Sequence, residues 1–314
     1  MRTLLPILGL CAFLGSSGLV AAENNSQKNI IGLLAAEEQW LSAATKIAAK
    51  LDHENGLRIL PIVGAGGVQA FQDLANLPMV DAAIISSDSL IYAAQQELIS
   101  GQKEKYSYVA RLAKLDVVLV AKNKISKLSG LKGMRIATGP AQSASFATGE
   151  LIFNAMNISF LRVAKQGDSA VDALINGEAD AALLLGTDFP VAALSDGRFH
   201  VLSLQIPSSL SEIYQPAILT SHELPGLVSG KQSVETFATS LALAIHDHPR
   251  DAAHSKAVQN FEAIFFKLVD RDGNNNLAAV VPGWKRHAEA QNILSQNQTE
   301  DTQNATITPT GGKP

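Results

Sequence analysis

Arg58-Ile-Leu-Pro-Ile-Val63, breaking into Gly64-Ala-Gly-Gly67, is the stretch from which the fold is read. An apolar run of strand length stops at clustered glycines and gives way to a helical pattern, Val68 to Ala75. That is a strand–turn–helix signal. Val80-Asp-Ala-Ala-Ile-Ile85 then supplies another apolar strand, ending in Ser86-Ser87-Asp88. The same unit returns in the second half. Phe160-Leu-Arg-Val-Ala-Lys165 breaks into Gln166-Gly-Asp-Ser169, a short helical stretch follows, and Ala179-Asp-Ala-Ala-Leu-Leu-Leu185 ends in Gly186-Thr187-Asp188. Each half begins with a further strand–loop–helix, Lys28 to Leu51 and Met134 to Met156. Two similar βαβαβ units predict an α/β protein of two similar three-layer lobes with a central ligand cleft.

Outward from these units, the amino terminus reads as a signal peptide over residues 1–22. Arg2 gives the positive start, Leu4 to Leu14 is an apolar run too short for an ordinary membrane helix, and Val20-Ala21-Ala22 suits cleavage. The only cysteine, Cys11, lies in this segment behind Leu10, where a bacterial lipid-attachment site needs a small residue. The mature chain is thus expected in the periplasm, without a thiol nucleophile, disulfide or thiolate metal site. An apolar share of 46% argues for folded globular structure. The 25 Lys and Arg against 29 Asp and Glu form no basic cluster, which argues against a nucleic-acid partner.

The expected organisation is lobe 1 over residues 23–115, lobe 2 over 116–235, a return to lobe 1 with C-terminal helices over 236–295, and a disordered polar tail over 296–314. Tyr108 to Val120 is β-rich and carries the chain between lobes. Thr236 to Ala244 reads equally as a returning strand or a buried helix. His254 to Asp270 is an amphipathic helix, with Val258, Phe261, Ile264, Phe265 and Leu268 on one face.

Ligands in open α/β sheets collect beyond the carboxyl ends of the strands. Gly64 to Gly67 permits close backbone approach there, and the amides of Gly66, Gly67 and Val68 open a helix N-terminus suited to an anion. Thr138 to Ser145 forms the equivalent mouth of the second lobe, with Ser143, Ala144, Ser145 and Thr148 at the helix start and hydroxyls as donors. Ser87 and Asp88, then Gly186, end the third strands. Asp88 and Asp188 either contact a cationic part of a ligand or cap the next helix, with capping favoured, and Asp81 and Asp180 read as capping or solvated groups at strand starts. Catalytic signals are weak. His246-Asp247-His248 with His254 resembles a cluster, but it precedes Pro249 at an element's end. Asp270 to Asn274 has glycine at the wrong place for a calcium loop, and Val281 replaces its terminal glutamate. There is no Gly-x-Ser-x-Gly elbow and no P-loop lysine. The expectation is a binding protein with no cofactor or metal.

Four stretches resemble the TAXI family of TRAP-transporter solute-binding proteins, within the type II periplasmic binding fold. They are Val63 to Val68 with Val80 to Ala83 and Ser87-Asp88; Leu128-Ser-Gly-Leu131-Lys132-Gly133-Met134-Arg135-Ile136-Ala137-Thr138-Gly139; Tyr214 to Ala217 with Leu224-Pro225-Gly226-Leu227 and Val234-Glu-Thr236; and Asn276 to Arg286 around Pro282-Gly283. The resemblance covers nearly all of the mature chain. It implies a monomeric receptor that captures a small organic anion or zwitterion and delivers it to an integral-membrane TRAP permease. By position, Gly66, Gly67 and Val68 would touch the solute from one lobe, and Thr138, Ser143, Ala144 and Ser145 from the other. Alternatives are a binding protein of an ATP-driven importer, a divergent sensor or interaction protein, or a hydrolase on this scaffold. One departure stands out. The family's first loop is glycine-rich, whereas this chain has Ala35-Ala36-Glu37-Glu38-Gln39-Trp40. Two carboxylates at that mouth repel an anion unless they point outward or meet a cationic group.

Overall fold

The computed structural model describes residues 29–99, 103–247, 252–269 and 276–307. The signal segment, His248 and the Asp270 to Asn274 turn lie outside them. In lobe 1, β1 (Ile30–Ala35) pairs in parallel with β2 (Arg58–Val63) and β3 (Ala82–Ser86). In lobe 2, β5 (Arg135–Ala137) pairs in parallel with β6 (Leu161–Val163) and β7 (Ala181–Gly186). The orders β2-β1-β3 and β6-β5-β7 are the same, so the repeat in the sequence is a repeat in space. Pro61 has no amide to donate and lies in β2, which ends the sheet path and leaves Leu60 and Val63 exposed.

The duplication extends to single atoms. Asp81 N donates to Gly32 O at 2.9 Å, while Gly32 N donates to Asp81 Oδ2 at 2.8 Å. In lobe 2, Asp180 N donates to Arg135 O at 2.7 Å, and Arg135 N donates to Asp180 Oδ2 at 3.3 Å. Both aspartates are buried and lock the third strand of the lobe to the first, a stronger role than capping. Asp180 also meets Lys122 Nζ and Arg135 Nε, each at 3.0 Å. Burial pushes its carboxyl up, but Arg135 and Lys122 outweigh that and hold it well below the usual range. Such a group adds stability above the ordinary aspartate pKa and loses it as pH falls through the depressed value. Asp180→Ala is therefore expected to cost about 2 kcal/mol at neutral pH. Urea unfolding should show the gap to the parent closing in strong acid.

One ten-stranded sheet runs through both lobes, in the order β2-β1-β3-β10-β4-β7-β5-β6. Its continuity comes from two long strands, β4 (Tyr106–Lys122) and β10 (Val234–His246). β4 pairs with β10 up to Asp116, where pairing with β7 begins; β8 (Phe199–Leu202) also pairs with β4. β10 pairs with β3 at its carboxyl end and with β9 (Gln215–Leu219) at its amino end. The 236–244 stretch is thus strand. Buried on both faces, it carries no period to separate strand from helix.

Helices cover both faces. In lobe 2, Leu151, Ile152 and Phe153 of α4 (Ala144–Ala155) pack on one side. Ala170, Val171 and Leu174 of α5 (Asp168–Ile175) pack on the other. Lobe 1 gathers α1 (Leu41–Leu51), α2 (Gly67–Asn76), α3 (Ser87–Gln95) and α6 (Ala252–Val269) around one core with Phe71, Phe261 and Phe265 at its centre. Trp40 is buried in that core. α7 (Ala288–Ile307) runs through most of the stretch expected to be a disordered tail. Its first turns dock Ala290 and Leu294 in the lobe 1 core, and the polar remainder continues the helix from that anchored start.

Candidate functional site

The helices that follow β2 and β5 bring their N-termini to one interlobe seam. α2 is preceded by Gly66, whose φ of 139° is accessible to glycine and strained for other residues. α4 is preceded by Ser143, whose hydroxyl accepts from Phe146 N at 3.1 Å as an N-cap. Val68 N, in the first turn of α2, donates to the carbonyl of Gln142 in lobe 2 at 3.1 Å. Ala144 N, the first amide of α4, donates to the Glu37 carboxylate of lobe 1. Each helix start is thus capped by the opposite lobe.

Beside these caps, the Asp88 carboxylate is fully buried. Its Oδ2 accepts from Thr148 Oγ1 at 2.6 Å and from Tyr214 Oη at 2.9 Å. Its Oδ1 is buried with no hydrogen-bond partner among the described residues. Asp88 therefore does not cap α3, as the sequence suggested, but binds lobe 1 to α4 and to the residue before β9. Burial pushes its carboxyl up, against the hydrogen bonds from Thr148 and Tyr214. Glu37 is raised in the same way: burial is the main cause, the Ala144 and Gln39 hydrogen bonds oppose it, and the Asp88 charge adds to it.

The other sequence-derived candidates are also engaged by the protein itself. Ser87 shares a hydrogen bond with Thr239 at 2.9 Å and accepts from Ser240 N at 3.2 Å. Trp284 Nε1 donates to Ser87 O at 2.8 Å, which ties the Pro282-Gly283 stretch to the base of α3. Thr138 receives Arg162, whose guanidinium also meets Glu150 and lies 4.1 Å from the Phe146 ring centroid. Ser145 donates to Gln166 Oε1 at 3.2 Å and lies 3.3 Å from the Ser143 hydroxyl. A Cβ on Gly67 would lie 2.6 Å from Ser89 Oγ in its own lobe and 3.7 Å from Ala144 N. Gly186 ends β7 opposite Asp116, against Asp188 and Phe189.

Sequence reading missed three partners: Gln142, Tyr214 and Thr239. A signal existed only for Gln142, a polar residue in the turn after Gly139-Pro140 that takes a φ of 73°. Tyr214 lies 126 residues from Asp88, and nothing local links them.

The histidines gather elsewhere. His246, His254 and His287 line a cavity of about 430 Å³ with Asp81 and Asp247. Their neighbours are structural pairs: His254 Nε2 with Asp81 at 2.7 Å and His287 Nδ1 with Glu262 at 2.8 Å. Among the described residues, no group of three His, Cys, Asp or Glu is placed to hold a metal ion.

The chain is similar to several solved structures. MatC from Rhodopseudomonas palustris with bound malate is 18% identical, over 88% of this chain and 97% of that one, at a TM-score of 0.50. The periplasmic aliphatic sulphonate binding protein SsuA from Escherichia coli is 15% identical, over 89% of this chain and 93% of that one, at a TM-score of 0.43. The amino acid ABC transporter substrate-binding protein AbpA from Streptococcus pneumoniae, bound to L-arginine, is 12% identical over 91% and 100%, at 0.44. The fold is the mixed α/β, curled-sheet fold of type II periplasmic binding proteins. No curated protein matches the sequence. Residues 39–198, just over half of the chain, match the NMT1-like family, and the protein belongs to that family.

Proposed function

We propose that this protein is the periplasmic receptor of a TRAP-type transporter of the TAXI kind. It closes its two lobes over a small organic anion or zwitterion and hands the solute to an integral-membrane permease. The observation that carries this reading is the seam, where the N-terminus of α2 from lobe 1 meets the N-terminus of α4 from lobe 2, which carries the hydroxyls of Ser143, Ser145 and Thr148. Two long strands joining the lobes are a hinge by construction, since small rotations spread along β4 and β10 open the gap. The proposed contacts are Gly66, Gly67, Val68, Ser87 and Asp88 from lobe 1, and Thr138, Ser143, Ala144, Ser145, Thr148 and Gly186 from lobe 2. Residues 1–22 would export the chain.

The test is a thermal-shift and small-angle scattering screen. MatC was solved with malate, so dicarboxylates lead the panel, followed by amino acids and sulfonates. The matching solute at about 100 times its Kd should stabilise the protein by about 2.7 kcal/mol and leave it closed. A panel without any shift, together with a bare mass for the protein purified from its own periplasm, would count against transport. A second reading, a divergent sensor or interaction protein of the same fold, is favoured by one observation: the seam's hydroxyls are already engaged by the protein's own groups. Specific capture of a membrane signalling protein, with a silent solute screen, would select it.

A further inference from the structure

The first loop departs from the glycine-rich pattern of the resembling family, and its Glu37 occupies a position with the chemistry of a bound solute. Glu37 is 5% exposed and has extended backbone, with φ of −134° and ψ of 152°. One oxygen accepts the Ala144 amide at the start of α4, and the other accepts Gln39 Nε2 at 2.9 Å. Ser143 already serves the Phe146 amide of that helix. A carboxylate on another first-turn donor, with the helix dipole behind it, is how a helix N-terminus receives an acid. Here the acid comes from the opposite lobe. The reciprocal bond from Val68 N to Gln142 O closes the other helix start in the same way.

We propose that Glu37 is a tethered carboxylate that takes the place of a solute's acid group on α4, so that the receptor rests closed without solute. The inference rests on the reading of the seam as the solute site and assigns its regulation. Any acidic solute competes with Glu37 for the Ala144 amide, so it binds more weakly than the open geometry would allow. Truncating the side chain vacates a site of defined size. Glu37→Ala removes the atoms of an acetate, and Glu37→Gly removes those of a propionate.

Chemical rescue tests this. Parent and variants are compared by scattering and by melting temperature in chloride-matched buffer, with acetate or propionate added up to about 50 mM. Glu37→Ala should expand and melt lower, and acetate should restore both readouts; Glu37→Gly should prefer propionate. The parent should respond to neither, with apparent affinity at least about tenfold weaker. Ala144→Pro is the second variant. Proline is tolerated at the first helical position and deletes the donating amide's hydrogen while leaving Glu37 in place. It should expand the molecule, and acetate should not reverse the expansion. A compact Ala144→Pro protein, or a folded Glu37→Ala protein that ignores carboxylates, overturns the proposal. If the parent nonetheless binds a solute from the screen, the receptor reading survives that failure. If Glu37→Ala is rescued while the parent binds nothing, the tether stands and the transport reading falls.

Discussion

Asp88→Ala is expected to destabilise the protein by about 3 kcal/mol in mild acid, and by less at alkaline pH. In the parent, Tyr214 is 2% exposed and its hydroxyl donates to Asp88 at 2.9 Å. Without the carboxylate, that hydroxyl loses its charged acceptor and keeps only the Thr148 hydroxyl, and the missing atoms leave a void. Thr148 is better placed, because Ala144 O lies 2.9 Å from its hydroxyl and can take over as acceptor. The pH dependence follows from burial, which raises the Asp88 carboxyl. A carboxyl raised by folding contributes fully below its ordinary pKa, and the contribution fades as pH climbs through the raised value. At higher pH the parent therefore carries a buried charge that the alanine variant lacks, and the gap narrows. Urea unfolding of both proteins at about pH 4 and about pH 8 measures it. A gap that is constant or grows with pH would mean that Asp88 is stabilised as an anion by a partner outside the described residues. Asp88→Asn separates charge from shape: it keeps an acceptor for Tyr214, so it should lose little stability and flatten the pH response.

The duplicated core was legible because its signals are local. An apolar run, a glycine break, a helix and an alanine-rich strand can each be read within a dozen or so residues, and the repeat confirms the grouping. Asp81 and Asp180 were visible as a pair, but not as locks. Their acceptor role depends on β1 lying beside β3 and on β5 lying beside β7. The site was half legible for the same reason. Sequence position placed Ser143, Ser145 and Thr148 at a helix start, and the structure agrees. It could not show that Tyr214 and Thr239 would reach Asp88 and Ser87 from distant elements, or that the Gln142 carbonyl would face the opposite lobe. For Glu37 the charge was evident and its direction was not. Reading two carboxylates at the mouth as repulsion assumed that they faced an empty cleft. Glu38 is exposed, while Glu37 crosses to the other lobe. One residue of register separates a solvated charge from a capping one.

Gly66→Val should hold the lobes apart at a cost of about 3 kcal/mol to the closed form. Two effects act together. The φ of 139° at this residue is strained for any side chain with a Cβ, and most for a β-branched one. The backbone has little freedom to relax, because Gly66 N donates to Ala36 O at 2.9 Å and Gly66 O accepts from Ala70 N at 3.0 Å. The added Cβ would also stand 2.6 Å from Gln142 O and 3.0 Å from Gln142 C. Those are backbone atoms of lobe 2, so rotating a side chain gives no relief. The cheapest escape is to move lobe 2 away, which breaks the bond from Val68 N to Gln142 O and lifts Ala144 off Glu37. The variant should thus show a larger radius of gyration and a lower melting temperature. Any solute found in the screen should fail to compact it. Gly67→Ala is the contrast. Its Cβ would press on the Ser89 hydroxyl, a rotatable group in the same lobe, and only touch Ala144 N at 3.7 Å. That variant should lose some stability and still close. If both proteins scatter like the parent, Gly66 does not face Gln142 in solution, and the reciprocal capping that closes the seam is absent.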